Sequence, residues 1–411
     1  MTSTTGPTWL KNIFARPQSA TPAATTATAV QPTAAPPAAQ PLAILAAALR
    51  APHGASPEEL AAAIAGNKAR PDLDPELVDD EGFPVTSARC DDAVDETVKE
   101  EIVEWLALSG LAELHWGDAQ WRALTLGTAV ERDLAGEALA QLMPAEGAPP
   151  QLRLLPVLPS GWSAEQRQAA GLWFKHAVAQ FGWPVDHVTR IEVPIEPGAA
   201  VSALLHSQFA PGSIAPSVRQ AAIVIACESN IDQETIDTWA ANKTLFTPTQ
   251  PQGVVPGEGA AGLLMNALDY AQSLPESTFT LFDPLNEARL PAAADENRRP
   301  DVTLLGSLVQ QACADLDLAN VRMIAADAGQ RRYRVRELMA VASSMLPHLD
   351  DTTDVACVGI SAGRCGAVPS MIALALAQHQ AAACGAPVLY IINEESHACY
   401  AALVRPKVAL S

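Results

Sequence analysis

The sequence predicts an α/β fold in which helices cover a parallel sheet. The first observation is an alternation of helices and short apolar strands in the last third of the chain. In order, the predicted segments are helix 301–316, strand 321–326, helix 334–346, strand 355–360, helix 367–384 and strand 388–392. The second observation is the apolar run 221–226, which is bounded by polar residues and is typical of a strand covered on both faces.

Local signals predict the remaining elements. Residues 42–49 form a short apolar run, and Ser56 followed by Pro57 and two acidic residues predicts a helix that runs to Ile64. Residues 400–404 follow strand 388–392 after a short turn, which predicts an antiparallel pair at a sheet edge. The other predicted segments are a loop-like stretch at 66–97, a helix at 97–110, a strand at 152–158, and a helix at 163–181 capped by Gly182.

Composition and charge argue against several classes of function. The chain has 411 residues, of which 49% are hydrophobic, enough for two domains or one duplicated domain with a sizeable core. Its net charge of −20 argues against binding nucleic acid or an anionic membrane surface, because both need clustered lysine and arginine. Seven scattered cysteines without a CxxC pair offer no zinc-ligand spacing and predict reduced thiols in the cytoplasm. We expect neither a metal nor a cofactor.

The stretch between Arg364 and Glu394 contains no charged residue and could suggest a membrane span. It is interrupted by Pro369, by the polar run 378–380, and by Gly385 with Pro387 close behind it. Glycine followed by proline is a helix stop signal. The sequence therefore predicts a buried helix followed by a buried strand, and no membrane span.

Residues 1–40 are rich in threonine, alanine and proline and predict a disordered extension. They contain Lys11 and Arg16 but no acidic residue, so the net charge of −20 becomes −22 over residues 41–411. A short amphipathic patch with Trp9, Ile13 and Phe14 lies near the start. It is either a sticky tail remnant or a docking peptide for an unidentified protein partner.

One motif and the order of several segments resemble a known family. Residues 253–264 read GVVPGEGAAGLL, which resembles the P-G-E-G-A-A block of the β-ketoacyl synthase branch of the thiolase superfamily. Four further segments follow the order of that family: an opening strand and helix at 45–67, a strand with its following segment at 221–239, a D-x-x-G-x-R-x-R form at 326–337, and a closing hairpin at 394–402. Residues 363–367 read GRCGA where the family has G-H-T-G-A.

The resemblance implies a thiolase-like fold of five layers, α-β-α-β-α, built from two similar halves and usually dimeric. We therefore expect an N-terminal half at 41–275, a C-terminal half at 276–411, and a homodimer or a heterodimer with a paralogue.

The same resemblance implies a cysteine nucleophile and two histidines, and this sequence supplies none of them at the matching positions. Residues 197–202 read PGAAVS where the nucleophile is expected, Asp327 follows the strand where the first histidine is expected, and Arg364 replaces the second. An arginine stays protonated near neutral pH and cannot act as a base. Loss of one member of such a set costs several orders of magnitude in rate. We therefore expect no catalytic residues.

Several residues remain candidates for chemistry. Cys365 lies in a glycine-bounded turn that opens a helix, where it is either a relocated nucleophile or a small buried residue. Asp327 and Arg364 are the other weak catalytic candidates. Arg331, Arg332 and Arg334 belong to a dense basic run, which could bind a phosphate or pair with local acids.

Other residues are more easily explained by structure. Cys227 ends an apolar strand beside Glu228, and both features raise a thiol pKa. Glu258 in the P-G-E-G block is predicted to fix a loop by accepting backbone N–H bonds. Ser202 and His206 share one helix face but have no identifiable third member of a hydrolase triad.

The leading prediction is a catalytically inactive ketosynthase-like scaffold or accessory subunit that acts through protein contacts. The system it serves could be biosynthetic or a bacterial secretion or envelope assembly. One alternative is a condensing enzyme of the 3-oxoacyl-carrier-protein synthase type with a non-standard nucleophile. Another is a protein that binds acyl-CoA without chemistry.

Overall fold

The computed structural model describes residues 40–144, 147–193, 219–274, 278–289 and 302–407. Its strands are β1 (Leu42–Arg50), β2 (Asp72–Val78), β3 (Pro84–Ser87), β4 (Gln151–Val157), β5 (Val188–Arg190), β6 (Gln220–Ser229), β7 (Glu258–Ala267), β8 (Thr280–Phe282), β9 (Asn286–Arg289), β10 (Met323–Ala326), β11 (Val355–Cys357), β12 (Val388–Ile392) and β13 (Ala398–Pro406). Its helices are α1 (Pro57–Ala65), α2 (Glu96–Leu108), α3 (Asp118–Leu142), α4 (Ala164–Gln180), α5 (Gln233–Ala241), α6 (Leu268–Ser273), α7 (Val302–Ala312), α8 (Arg332–Met345), α9 (Val358–Ala362) and α10 (Val368–Cys384).

Eleven of the described strands join in one mixed sheet, in the order β11-β10-β12-β13-β8-β1-β7-β6-β4-β5, with β9 against β13. The two ends of this order repeat one pattern. In the N-terminal half, β4 is parallel to β5 and β6, and β6, β7 and β1 follow as antiparallel neighbours. In the C-terminal half, β10 is parallel to β11 and β12, and β12, β13 and β8 follow as antiparallel neighbours. The chain therefore contains two similar halves.

Helix α10 lies between the two halves of the sheet, because it contacts strands of both. Its residues pack in one buried cluster with side chains from β1, β6 and β7 on one side and β10, β12 and β13 on the other. A second buried cluster lies under α2, α3 and α4, and a third lies under α7 and α8. This arrangement is the five-layered α-β-α-β-α fold that the resemblance implied.

Several elements form where the sequence predicts them, and their ends show why. Ser56 accepts a hydrogen bond from the Glu59 N–H and begins α1, and Ser163 and Gln166 form a capping box at the start of α4. Helix α10 ends at Gly385, whose φ of 61° is left-handed, and β12 follows with every residue buried.

Other expectations are wrong. The loop-like stretch 66–97 contains the antiparallel hairpin β2–β3, and the 25-residue helix α3 was not predicted at all. Strand β11 ends at Cys357 rather than at 360, because the short helix α9 begins at Val358. Within α9, Gly359 packs closely on the Asp327 carbonyl. Strands β12 and β13 are antiparallel as predicted, but they are not an edge pair, since β8 and β9 cover β13.

Within the described residues, no helix has the length and apolar character needed to cross a bilayer. The uncharged stretch after Arg364 is instead the central helix α10 and the buried strand β12.

Candidate functional site

A cavity of about 730 Å³ opens where parallel strands of both halves end. Its walls come from residues that follow β4, that end β6, and that follow β10 and β12, together with the start of α10. The carboxyl ends of parallel strands are the usual place for a ligand in an α/β fold, because the connecting loops meet there. The cavity is therefore the candidate functional site.

The P-G-E-G block, residues 256–259, forms a strap beside the cavity. Close packing requires a glycine at position 257 of this strap. A Cβ on Gly257 would lie 2.0 Å from the carbonyl oxygen of Ala362, at the end of α9. The same close approach places Arg364 against the strap, because the Arg364 N–H donates to the Val255 carbonyl over 2.8 Å. The strap thus fixes the turn that leads into α10.

Glu258 stabilises the strap from the inside. Its fully buried carboxylate accepts hydrogen bonds from the Cys90 N–H at 2.8 Å, from the Ser229 hydroxyl at 2.8 Å, and from the Arg122 guanidinium. The predicted backbone bond is present, but the main partner is Arg122 on α3, which the sequence did not suggest because it lies 136 residues away.

Glu228, near the end of β6, is one of the partly buried acids of the cavity wall. Its carboxyl lies against Gly366, where a Cβ would be only 2.0 Å from Oε2 and where φ is +56°. Burial raises the pKa of this carboxyl to about 7, although the Asn230 amide and the charge of Arg364 both act to lower it. Glu228 therefore changes its charge near neutral pH.

Asp327 and Glu394 clamp the loops after β10 and β12 to each other. Asp327 Oδ1 accepts the N–H groups of Asn393 at 2.8 Å and Glu394 at 3.1 Å. In return, the Glu394 carboxylate accepts the N–H groups of Gly329 at 3.0 Å and Arg331 at 2.9 Å. Burial raises the pKa of Asp327 to about 7 against these hydrogen bonds, and it also raises the pKa of Glu394. Asp327 thus holds a loop in place at the position where the resemblance implies a histidine.

The cysteine candidates are buried. Cys365 is fully buried, with Sγ 3.5 Å from the Ala362 carbonyl oxygen, and burial together with Glu228 and Glu258 raises its pKa well above the usual range. Burial and Glu228 raise the pKa of Cys227 to about 12, in agreement with the structural role expected for it. The thiolate form that a nucleophile needs is therefore disfavoured at both positions.

The basic run is divided among three environments. Arg331 lies at the cavity and donates to the Glu394 carbonyl and, at 2.9 Å, to the Ser396 hydroxyl. Arg332 is exposed and does not line the cavity. Arg334 is fully buried, with Nη1 2.9 Å from the Glu337 carboxylate. The structure therefore does not bring the three arginines together around one open site.

Some predicted residues lie outside the described part of the chain. They are Ser202, His206 and the expected nucleophile position at 197–202, and Trp9, Ile13 and Phe14 of the N-terminal patch. Among the residues that are described, no group of three histidine, cysteine or acidic side chains could hold a metal ion.

Comparison with known proteins identifies the fold. No family description and no curated protein matches the sequence. Among solved structures, the ishigamide ketosynthase/chain length factor aligns with a TM-score of 0.56 at 13% identity, covering 89% of this chain and 99% of that one. The ketosynthase from module 6 of the bacillaene synthase from Bacillus subtilis 168 aligns with a TM-score of 0.56 at 12% identity, covering 90% and 72%.

A third solved structure is a type II PKS acyl-carrier protein in complex with its ketosynthase, with a TM-score of 0.52, 10% identity, and coverage of 89% and 99%. At such identities the likeness shows the fold alone. The chain has the thiolase-like ketosynthase fold, which confirms the resemblance carried by the P-G-E-G-A-A block, and its sequence diverges widely from these structures.

Proposed function

We propose that this chain is a ketosynthase-like protein without condensing activity, which serves as a scaffold or accessory subunit through contacts with other proteins. The observation that carries the proposal is the state of Asp327. Its carboxyl stands where the resemblance implies a histidine, and it is committed to the backbone of Asn393 and Glu394. Arg364, at the second histidine position, is a permanent cation that cannot exchange protons during a reaction.

The expected position of the nucleophile lacks a cysteine even if the alignment of this sequence with the family is shifted by several residues. The whole stretch 194–218, which includes the expected position, contains no cysteine. All seven cysteines lie elsewhere, and all are free thiols. Free thiols throughout the chain support a role in the reducing cytoplasm.

The competing proposal, a condensing enzyme that uses Cys365, has weaker support. The Cys365 side chain faces the carbonyl oxygens of Ala362 and Gly363 and has no exposed surface. Carbonyl oxygens and nearby carboxyl groups favour the neutral thiol, whereas a nucleophilic cysteine is found near positive charge.

The accessory role also includes partners. We propose a homodimer or a heterodimer with a paralogue, and a further protein bound by Trp9, Ile13 and Phe14. The structural likeness to a ketosynthase/chain length factor supports pairing, and the likeness to a ketosynthase bound to an acyl-carrier protein supports contact with a second protein. The system served is a biosynthetic pathway or a bacterial secretion or envelope assembly.

Cysteine reactivity tests the proposal. Cys384 is exposed and will react with iodoacetamide, so the experiment uses C384S as background and C384S/C365S as its matched control. At neutral pH we expect slow, scattered labelling of the six remaining thiols, mapped by mass spectrometry. Rapid stoichiometric labelling of Cys365, lost in the double variant, would establish an activated nucleophile and contradict the proposal.

A further inference from the structure

Residues 72–104 form an acidic surface, on which much of the negative charge of the chain is concentrated. They contain thirteen acidic residues and two basic ones, so they contribute −11 to the net charge of −20. In the structure they form the hairpin β2–β3 and helix α2. Large apolar side chains of this stretch are also exposed, at Leu73, Val78, Phe83, Val94 and Val103. A surface that combines charge with exposed apolar side chains is typical of a site that binds another protein.

A recess of about 350 Å³ lies between the two parts of the acidic surface. Its walls come from β2, from the start of α2, from the first two turns of α3 and from the start of α5. This volume is enough for one long side chain and is close to the lower limit of small-ligand pockets. The hairpin and α2 therefore flank a concave site.

Thr125 on α3 lines the recess with a hydroxyl that has no hydrogen-bond partner among the described residues. The residue is only 4% exposed, so the accessible part of its side chain opens into the recess. Three residues further along, the Thr128 hydroxyl donates to the Leu124 carbonyl at 2.7 Å and accepts from the Trp173 indole at 2.8 Å. A buried polar group without a partner costs free energy. A ligand that forms a hydrogen bond with the Thr125 hydroxyl would remove this cost.

Two acids at the rim of the recess carry unpaired charges. Glu96 and Asp118 are the first residues of α2 and α3, and both are exposed. Within the described ranges, neither carboxylate forms an ion pair or a hydrogen bond. Of the other acids that line the recess, Glu76 pairs with Arg89 at 3.1 Å and two serve as helix N-caps. The rim therefore attracts a positive charge.

Trp121 supplies an aromatic wall that suits a cation. Its half-buried ring lines the recess, and Lys99 Nζ lies 5.9 Å from the ring centre. The face of an indole attracts a cation, and a planar guanidinium also stacks on it. Arg89 and Arg122, which line the recess too, are both bonded to buried carboxylates. Apart from Lys99, the unpaired charges that the described residues bring to the recess are therefore negative.

We propose that the recess and the acidic surface around it bind a basic segment of a partner protein, which inserts one arginine side chain beside Trp121. The guanidinium of this arginine lies between the carboxylates of Glu96 and Asp118 and donates to the Thr125 hydroxyl. Apolar neighbours of the arginine pack on exposed side chains such as Val94, which also lines the recess. The inference rests on the proposed function, because it names the chemistry of one protein that the accessory subunit contacts.

Two other occupants fit the surface less well. A charge of −11 over residues 72–104 repels an acidic protein from the same place. A small free amine would fill the recess but would leave the exposed apolar side chains around it uncovered. A basic protein segment uses both features, and tryptophan paired with arginine is a frequent centre of binding energy in protein interfaces.

Fluorescence anisotropy tests the inference with the full chain and a fluorescein-labelled peptide of alternating leucine and arginine residues. Physiological salt screens long-range attraction between the peptide and the net charge of the chain. The matched peptide has citrulline, which is uncharged and nearly the same shape, in place of every arginine. We expect the arginine peptide to bind the wild type and the citrulline peptide to bind about tenfold more weakly or not at all.

Variants locate the binding site. E96Q/D118N removes the two unpaired charges at the rim and should weaken binding of the arginine peptide about tenfold. The control D315N/D351N removes two exposed acids of the C-terminal half and changes the net charge equally, so we expect a Kd within about twofold of the wild type. T125V removes a hydroxyl that the described chain leaves unpaired, so it should weaken binding about threefold without lowering the Tm.

Several results would overturn the inference. They are an arginine peptide that does not bind, a citrulline peptide that binds equally well, and equal weakening by the two double variants, which would show attraction to net charge alone. Tighter binding of a glutamate counterpart would indicate an acidic partner, and arginine amide that binds as tightly as the peptide would indicate a small cation. If E96Q/D118N does not fold, T125V decides, and an unchanged Kd then rejects the site.

These variants leave every cysteine in place and lie outside the cavity that contains Cys365. The cysteine labelling pattern should therefore be the same in all of them. Failure of the peptide to bind is thus distinguishable from failure of the proposed function, which the labelling experiment tests on its own.

Discussion

Glu228 and Glu258 lie on neighbouring antiparallel strands at the same end of the sheet, where Glu228 pairs with Gly259 and Ser229 with Glu258. Their surroundings are opposite. Glu258 accepts bonds from a guanidinium, a backbone N–H and a hydroxyl, whereas the described partner of the Glu228 carboxyl is one amide, Asn230, at 3.3 Å. The fold thus uses one carboxylate to fix the strap, and leaves the other at the cavity with a pKa raised to about 7.

The strap should show the largest effect on stability. E258Q removes the negative charge beside the buried Arg122 guanidinium, and the loss of one partner of a buried ion pair costs about 3–5 kcal/mol in the free energy of unfolding. Urea denaturation measures this change. The matched control is E287Q, which removes one partner of the exposed Arg289–Glu287 pair.

We expect E287Q to change the free energy of unfolding by less than about 1 kcal/mol. Equal effects of the two substitutions would show that the strap carboxylate is no more important than a surface one.

Two carboxyls of the cavity wall, those of Glu228 and Asp327, should have an intermediate effect on the free energy of unfolding, and this effect should depend on pH. The pKa of Glu228 and of Asp327 is about 7 in the folded chain, above the value near 4 of an unfolded carboxyl. At pH values between about 4 and about 7, the native state therefore binds more protons than the unfolded state. The free energy of unfolding consequently falls as pH rises through this interval and then becomes level. Urea titrations at pH 5, 6, 7 and 8 measure the slope.

Neutral variants sharpen this comparison. E228Q and D327N keep the acceptor oxygens but cannot ionise, so each should flatten the slope and stabilise the chain at pH 8 by about 1–3 kcal/mol. E113Q, at an exposed acid of the α2–α3 connection, is the control and should leave the slope unchanged. A wild-type stability that rises over this interval would contradict the account of these two carboxyls.

The sequence predicts best those elements whose ends carry their own signals. Helix α10 and strand β12 are separated by Gly385 and Pro387, and the prediction of both is accurate to within one residue. Helix α3 was missed because it begins after Gly117 without a side-chain cap and contains Gly127 and Gly136, which are poor helix formers. Tertiary packing against β6 and β7 stabilises it instead.

The hairpin β2–β3 was missed for a different reason. Its first strand, β2, has the sequence DLDPELV, which contains a proline and three acids. It therefore lacks the alternation of apolar and polar residues that marks a strand. Long-range packing and side-chain bonds support it, including the Ser87 hydroxyl bonded to the buried Asp74 carboxylate at 2.6 Å.

The candidate site was only partly predictable. Asp327 and Arg364 were found because a resemblance marked their positions. Glu228 was noted only as a neighbour of Cys227, although an acid directly after a buried apolar strand is a usable signal. The reciprocal bonds of Asp327 and Glu394 join residues about 65 positions apart, and local pattern contains no information on such pairs.

The N-terminal segment should show the smallest effect on stability. Deletion of residues 1–20 removes no residue of the described core, so we expect a Tm within about 1 °C of the wild type by calorimetry. The same deletion should weaken capture of a partner in a pull-down, as should the double substitution W9A/F14A. Undiminished capture would reject the role proposed for Trp9, Ile13 and Phe14.

Intact-protein mass spectrometry after incubation with acetyl-CoA, and separately with an octanoyl thioester, tests the central claim most directly. A condensing enzyme first transfers the acyl group to its cysteine, which adds the acyl mass to the chain. The account predicts that the mass remains that of the unmodified protein with both thioesters. A stable acyl adduct on one buried cysteine, absent when that cysteine is replaced by serine, would contradict it.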